Sequence, residues 1–229
     1  MTKAGISRLA AVGLVAFTVV ACRPDGGRDA EMAADDTAAE TATQGEATAD
    51  DDAPPPVAAP CWTEAEPAEL AERASPLDST SVALGAGTVK VCHGSPQMRG
   101  RDVMGALVPF DRPWRLGANE ATRIHMPSAG TIAGVEVGPG WYSLYTIPSA
   151  DSWEIVVNES SERWGIPISE EVRAADIGSG TVNVRATDAP VEGLTMTLTE
   201  NGADAAILTI EWAETRVQVP IELTGGDGG

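Results

Sequence analysis

Beyond Pro76 the chain alternates apolar and polar residues with a period of two, in short runs rather than one long one. Thr88 to Cys92, Thr131 to Val137, Trp153 to Asn158, Thr181 to Arg185, Leu194 to Leu198 and Ala205 to Trp212 all follow the pattern, and Thr215 to Leu223 adds another. A period of two sends successive side chains to opposite faces, which suits half-buried strands and not helices. Turn residues fall between the runs. Gly85-Ala86-Gly87 separates Val82-Ala83-Leu84 from Thr88, Gly138-Pro139-Gly140 separates Val137 from Trp141, and Asn201-Gly202 separates Leu198 from Ala205. Pro220 cannot donate to a ladder, so it puts the last run at a sheet edge.

Helical signal is sparse. Thr63-Glu64-Ala65-Glu66 has the form of a capping box, with Glu69 to Arg73 completing a short helix behind Pro67. Ser169 is placed to cap a second one reaching Ala175, with Glu170 and Glu171 in its first turn. About ten closely spaced strands with one or two short helices predict an all-β fold, an antiparallel β-sandwich or jelly-roll-like barrel. No internal repeat is visible.

The N-terminal part follows different rules. Lys3 and Arg8 precede an uncharged run from Leu9 to Val20, too short to span a bilayer, and Val19-Val20-Ala21-Cys22 follows. Residues 1–21 read as a lipoprotein signal peptide and Cys22 as the lipid-attachment residue. The competing reading is an ordinary signal peptide cut near Ala21, leaving a free thiol. Several acyl chains hold a protein on a membrane where one binds reversibly. An exported, membrane-anchored protein of the bacterial cell envelope is expected, and Arg23 beside the anchor favours the outer membrane.

Residues 22–60 contain no Trp, Tyr, Phe, Leu or Ile, carry ten acids against Arg23 and Arg28, and include Pro54-Pro55-Pro56. Such a segment cannot bury enough apolar surface to fold. It is expected to be a disordered acidic tether, with a reach of roughly 35 Å or more. Residues 61–224 are long enough for one domain with a real core, and residues 225–229 form a Gly-rich tail. The net charge of −19 excludes nucleic acid as a partner. In an oxidising compartment the remaining cysteines, Cys61 and Cys92, are expected to pair, while neither has the CxxC partner of a metal site.

The unusual segment is Pro109 to Thr122, which concentrates Asp111, Arg112, Trp114, Arg115, Asn119 and Glu120 between apolar stretches. Loops on a rigid scaffold are where binding groups tend to sit. Together with Ser75-Pro76, Pro96 to Arg101, Leu107-Val108-Pro109, Gly140 to Pro148 and Glu211-Trp212, it resembles the bacterial Domain of Unknown Function 2911 family over roughly Ser75 to Leu223. The order Gly-Arg, Trp-Arg-x-Gly-Ala-Asn-Glu, Tyr-Ser-Leu-x-Thr-Ile-Pro carries the resemblance. It implies an extracytoplasmic β-rich protein without an assigned activity. The chain departs from the family pattern at His93, where a tyrosine is common, and in its cysteine pair.

Two readings compete for the polar cluster. In one, Arg101 and Arg115 pair with Asp111 or Glu120 and Asn119 satisfies backbone groups of a long loop. In the other, Trp114 offers a stacking face while Arg101, Arg115, Asn119 and Glu120 hydrogen-bond a polar ligand such as a glycan or carboxylate. Trp153 and Trp212 sit in strand patterns and belong to the core. No Gly-x-Ser-x-Gly elbow, His-Glu-x-x-His or phosphate-cradling loop is present, and no cofactor is implied. A metal site of His93, His125 and Glu120 would need folding to gather them, and Ser95 after His93 lacks a recognisable triad. The expectation is a non-catalytic binding or structural domain. The alternative is an envelope hydrolase of glycoside type using carboxylates around Glu120.

Overall fold

The computed structural model describes residues 60–224. The signal segment, Cys22, nearly all of the tether and the Gly-rich tail lie outside the described residues. Nine strands run β1 Leu77–Leu84, β2 Gly87–Gly94, β3 Thr122–Met126, β4 Gly130–Ile132, β5 Val135–Val137, β6 Gly140–Pro148, β7 Ser152–Asn158, β8 Asp176–Glu200 and β9 Ala205–Leu223. Their spatial order is β1-β2-β3-β6-β7-β8-β9-β4-β5, and every pairing is antiparallel. The expected all-β, sandwich-like class holds.

β8 is what turns one sheet into two layers. Its first residues, Asp176–Asn183, pair with β7, and from Val184 onward it pairs with β9 instead. Register slips on either side of Val191 let it bend. Its far end then returns over β1 and β2. The Leu198 N–H donates to Thr80 Oγ1 at 3.1 Å, and the Leu194 carbonyl accepts from Ser95 Oγ at 2.8 Å.

The core fills the space between the layers. Val89, Val91, Ile124, Leu144, Ile155 and Val157 form one wall, and Leu194, Leu208, Ile210, Trp212 and Val219 the other. Burying each such aliphatic side chain is worth about 1.5–3 kcal/mol. At the second end the β4–β5 turn crosses β8 so closely that a Cβ on Gly180 would overlap the Ala133 carbonyl.

Several local expectations are corrected. Thr131 to Val137 is not one strand but a tight hairpin, because Ala133 (φ 51°) and Gly134 (φ 80°) are both left-handed. Thr181 to Arg185 and Leu194 to Leu198 are parts of β8, and the last two runs are both parts of β9, so the strands number nine. Pro220 is not at the sheet's outer edge. It lies just past the last rung that β9 shares with β4, at Ile221, opposite the β4–β5 turn, where its carbonyl accepts from the Ala133 N–H at 2.9 Å and no ladder donor is required of it. β3 went unpredicted: its alternation of Arg123 and His125 with Ile124 and Met126 spans only five residues directly after the polar segment. The first helix, α1 Pro67–Glu72, is capped by Glu66, whose N–H donates to Glu69 Oε2 at 3.3 Å. Thr63 is not its cap. The second, α2 Glu170–Arg173, does use Ser169, whose Oγ accepts from the Val172 N–H.

Candidate functional site

The long connection from β2 to β3, residues 95–121, carries the polar cluster. Two-way backbone bonds between Trp114 and Thr146, at 2.7 and 2.9 Å, stitch it to β6. Trp114 is 9% exposed, stacked on Trp212 at 6.0 Å and edge-on to Trp153 at 5.8 Å. The expected core placement of Trp153 and Trp212 holds, and Trp114 joins them.

After Trp114 the backbone makes a cramped turn. Leu116 (φ 55°) and Asn119 (φ 64°) are left-handed, a strained state for leucine that packing must enforce. Leu116 is fully buried, its carbonyl accepts from Thr122 Oγ1 at 2.7 Å, and Ala118 lies so close to β2 that a Cβ on Gly94 would overlap its carbonyl. The small residues Gly94, Gly117 and Ala118 are thus a packing requirement of this turn.

Each candidate then has a definite place. Glu120 is 2% exposed and faces away from the cleft: Arg73 grips it with Nη1 on Oε2 at 2.7 Å and Nη2 on Oε1 at 2.9 Å, and Thr63 Oγ1 donates to Oε1 at 2.7 Å. Burial, the largest influence, pushes its carboxyl up. The bonds from Arg73, Thr63 and its own backbone, with the Arg73 charge, outweigh that and bring it below the ordinary value. Asn119 donates through Nδ2 to the Ser75 carbonyl at 3.0 Å and ties the turn to the start of β1.

Arg101, Trp114 and Arg115 do converge. With Trp212 and Leu107 they line a cleft of about 230 Å3. Arg101 is exposed and anchored by its Nε and Nη2 on the Met98 and Gln97 carbonyls at 2.9 and 2.7 Å. Arg115 is half-buried with Nε on the Gly117 carbonyl at 3.0 Å, and burial lowers its pKa. Neither arginine forms an ion pair among the described residues. The expected pairing with Asp111 or Glu120 is therefore not made. A wider groove of about 600 Å3 beside the cleft shares Arg101 as a wall.

Outside this segment, the Cys61–Cys92 disulfide forms, with Cα atoms 5.8 Å apart. His93 is 1% exposed, with no hydrogen bond at either ring nitrogen. His125 lies on β3 against Trp141, and no cluster of three metal-ligating side chains occurs among the described residues. Arg73 and Thr63 escaped sequence reasoning. Both belong to segments read as helix, and no spacing rule links them to Glu120.

The model of the family described as Protein of unknown function (DUF2911) matches residues 75–221, which contain the whole cleft but not Cys61, Thr63 or Arg73. No curated protein and no solved structure matches the chain. With its family motifs placed in the β2–β3 connection and β6, the chain belongs to the DUF2911 family.

Proposed function

We propose that this protein is a lipid-anchored component of the bacterial cell envelope whose β domain binds a small anionic ligand, without transforming it, between Arg101 and Arg115. One observation carries the reading. In a chain of net charge −19, two arginines line one cleft with a stacked tryptophan pair, and neither forms an ion pair among the described residues. A planar guanidinium presents paired donors that match a carboxylate or phosphate. The cleft lies somewhat below the usual range of about 300–1,000 Å3, so it suits a charged head group, with the neighbouring groove taking the rest. The basic and apolar stretches before Cys22 support the anchor, and the disulfide supports an exported chain.

Hydrolysis at Glu120 has less behind it. A general acid must hold a proton near neutral pH, and the Arg73 fork keeps this carboxyl charged.

Thermal-shift titration of the full-length protein in detergent against mono- and dicarboxylates, inorganic phosphate and anionic sugars tests the binding. A ligand at a hundred times its Kd stabilises by about 2.7 kcal/mol. The shift should vanish in Arg115→Ala; identical behaviour of wild type and variant against every compound would refute the proposal. Labelled palmitate should enter the wild type and not Cys22→Ser, and equal labelling of both would remove the anchor.

A further inference from the structure

A further pocket lies beside the disulfide and shares no lining residue with the arginine cleft. It measures about 400 Å3, inside the range of small-molecule sites, and its walls include Cys61, Trp62, Thr63, Arg123, Trp141 and Glu162. Trp62 and Trp141 are both only half-buried. Two large apolar rings left partly open to solvent at one cavity are unusual, and they mark a surface that gains by being covered.

The polar groups here differ in kind from those of the cleft. Arg123 is 3% exposed, sits over the Trp141 ring at 4.4 Å, and has Glu162 as its ionic partner at 3.3 Å. The pair makes the pocket neutral overall, so it selects neither an anion nor a cation. Yet the guanidinium is poorly satisfied. Its Nη2 makes only two long contacts, to Glu162 at 3.3 Å and Ser161 at 3.5 Å, and its Nε has no partner. Arginine donors, an exposed carboxylate acceptor and tryptophan faces together match a molecule with adjacent hydroxyls on one side and C–H groups on the other.

The walls are also fixed in advance. Cys61 is bonded to Cys92, which lies opposite Arg123 in the β2–β3 register, and Thr63 is held on Glu120. The segment 60–63 therefore cannot swing away from β3. A ligand meets a formed site and pays little ordering cost.

We propose that this pocket binds a neutral sugar ring of a glycan, stacked on Trp62 and hydrogen-bonded by Arg123 and Glu162, with Trp141, already covered by Arg123 and His125, forming the wall behind. The probes are cellotriose, maltotriose and the trisaccharide of N-acetylglucosamine, offered to the full-length protein in detergent. Saturation-transfer NMR reads the sugar C–H protons and calorimetry the affinity. At least one trisaccharide should receive saturation, and its Kd should weaken about tenfold in Trp62→Ala, the loss expected of one aromatic stack. Glu162→Gln should also weaken it, at a temperature well below any melting point lowered by loss of the ionic partner of buried Arg123. Arg115→Ala should leave it unchanged, which separates this site from the cleft. The proposal is overturned if no trisaccharide receives saturation, if Glu162→Gln and Trp62→Ala both bind as the wild type does, or if adenosine or acetate competes for the same pocket with higher affinity.

Discussion

Arg73, from the end of a short exposed helix, closes a two-pronged bridge on Glu120, with contacts of 2.7 and 2.9 Å. The carboxylate is almost wholly enclosed while its partner is 14% exposed, so the bridge pins the N-terminal segment to the turn behind the cleft. Arg73→Ala leaves a buried charge with Thr63 as its remaining side-chain donor and should cost about 3–5 kcal/mol in urea unfolding. Replacing both residues, as Arg73→Met with Glu120→Leu, should recover most of that. A double variant as unstable as the single one would show that the bridge itself supplies the stability.

The buried titrating groups give the fold an acid limit. Burial lowers the pKa of His93, against smaller opposite effects of Asp78 and the Leu194 carbonyl, which Ser95 Oγ already occupies. Below the ordinary value near 6.5 the unfolded chain takes up a proton that folded His93 refuses, so stability falls with pH, by at most about 1.4 kcal/mol per unit. Glu120 acts in a lower window. Its depressed pKa stabilises the fold above the unfolded value near 4.3, and that contribution is lost as pH falls through the folded value. Melting temperatures from pH 7.5 to 5 should drop in the wild type and stay flatter in His93→Phe. Parallel curves would remove His93 from the account.

The disulfide closes a separation of 31 residues, for which chain entropy predicts about 3–4 kcal/mol. Cys61 also holds the segment that places Thr63 on Glu120. Cys61→Ser with Cys92→Ser should therefore couple to Thr63→Val. The combined loss should be smaller than the sum of the separate losses, and strict additivity would show that Thr63 is held without the bond.

Gly94 offers a test of the turn. An added Cβ meets backbone at Ala118 rather than a movable side chain, so Gly94→Ala should cost about 1–3 kcal/mol and displace the turn that carries Arg115. Denaturant unfolding reads the first effect. A variant of wild-type stability would mean that β2 and the turn approach less closely.

Much of the fold was legible because period two and glycine turns are local signals. The β1–β2 hairpin, β7 and the separate runs within β8 and β9 follow from them, but not the joining of those runs into two long strands. What escaped is set by tertiary contact. Along β6 a period of two puts Ser143 and Tyr145 on one face and Leu144 and Thr146 on the other, yet all four are buried. The outer face is covered because Arg163 reaches Ser143 at 3.4 Å and the Tyr145 hydroxyl donates to Asp176 at 2.6 Å, pushing its own pKa up to about 12 with burial as the larger cause. No pattern within β6 announces a cover supplied by residues 160–176. The site was half legible for the same reason. Composition singled out Arg101, Trp114 and Arg115, but whether Glu120 joined them depended on Arg73, 47 residues earlier.

Trp114 and Arg115 are neighbours with opposite roles, and that separates folding from binding. Trp114 touches Trp153 and Trp212 and is nearly enclosed, so Trp114→Ala removes a large part of the packing between the layers and should cost about 3–5 kcal/mol. Arg115 contributes one side-chain bond, to the Gly117 carbonyl, and spends desolvation energy on a charge without an ionic partner. Removing that charge should cost little, about 1 kcal/mol for the lost bond, offset by the burial it relieves. Denaturant midpoints should fall steeply in Trp114→Ala and scarcely move in Arg115→Ala. If Arg115→Ala unfolds as readily as Trp114→Ala, the arginine is a structural member of the turn, and the argument for an anion at the cleft loses its main support.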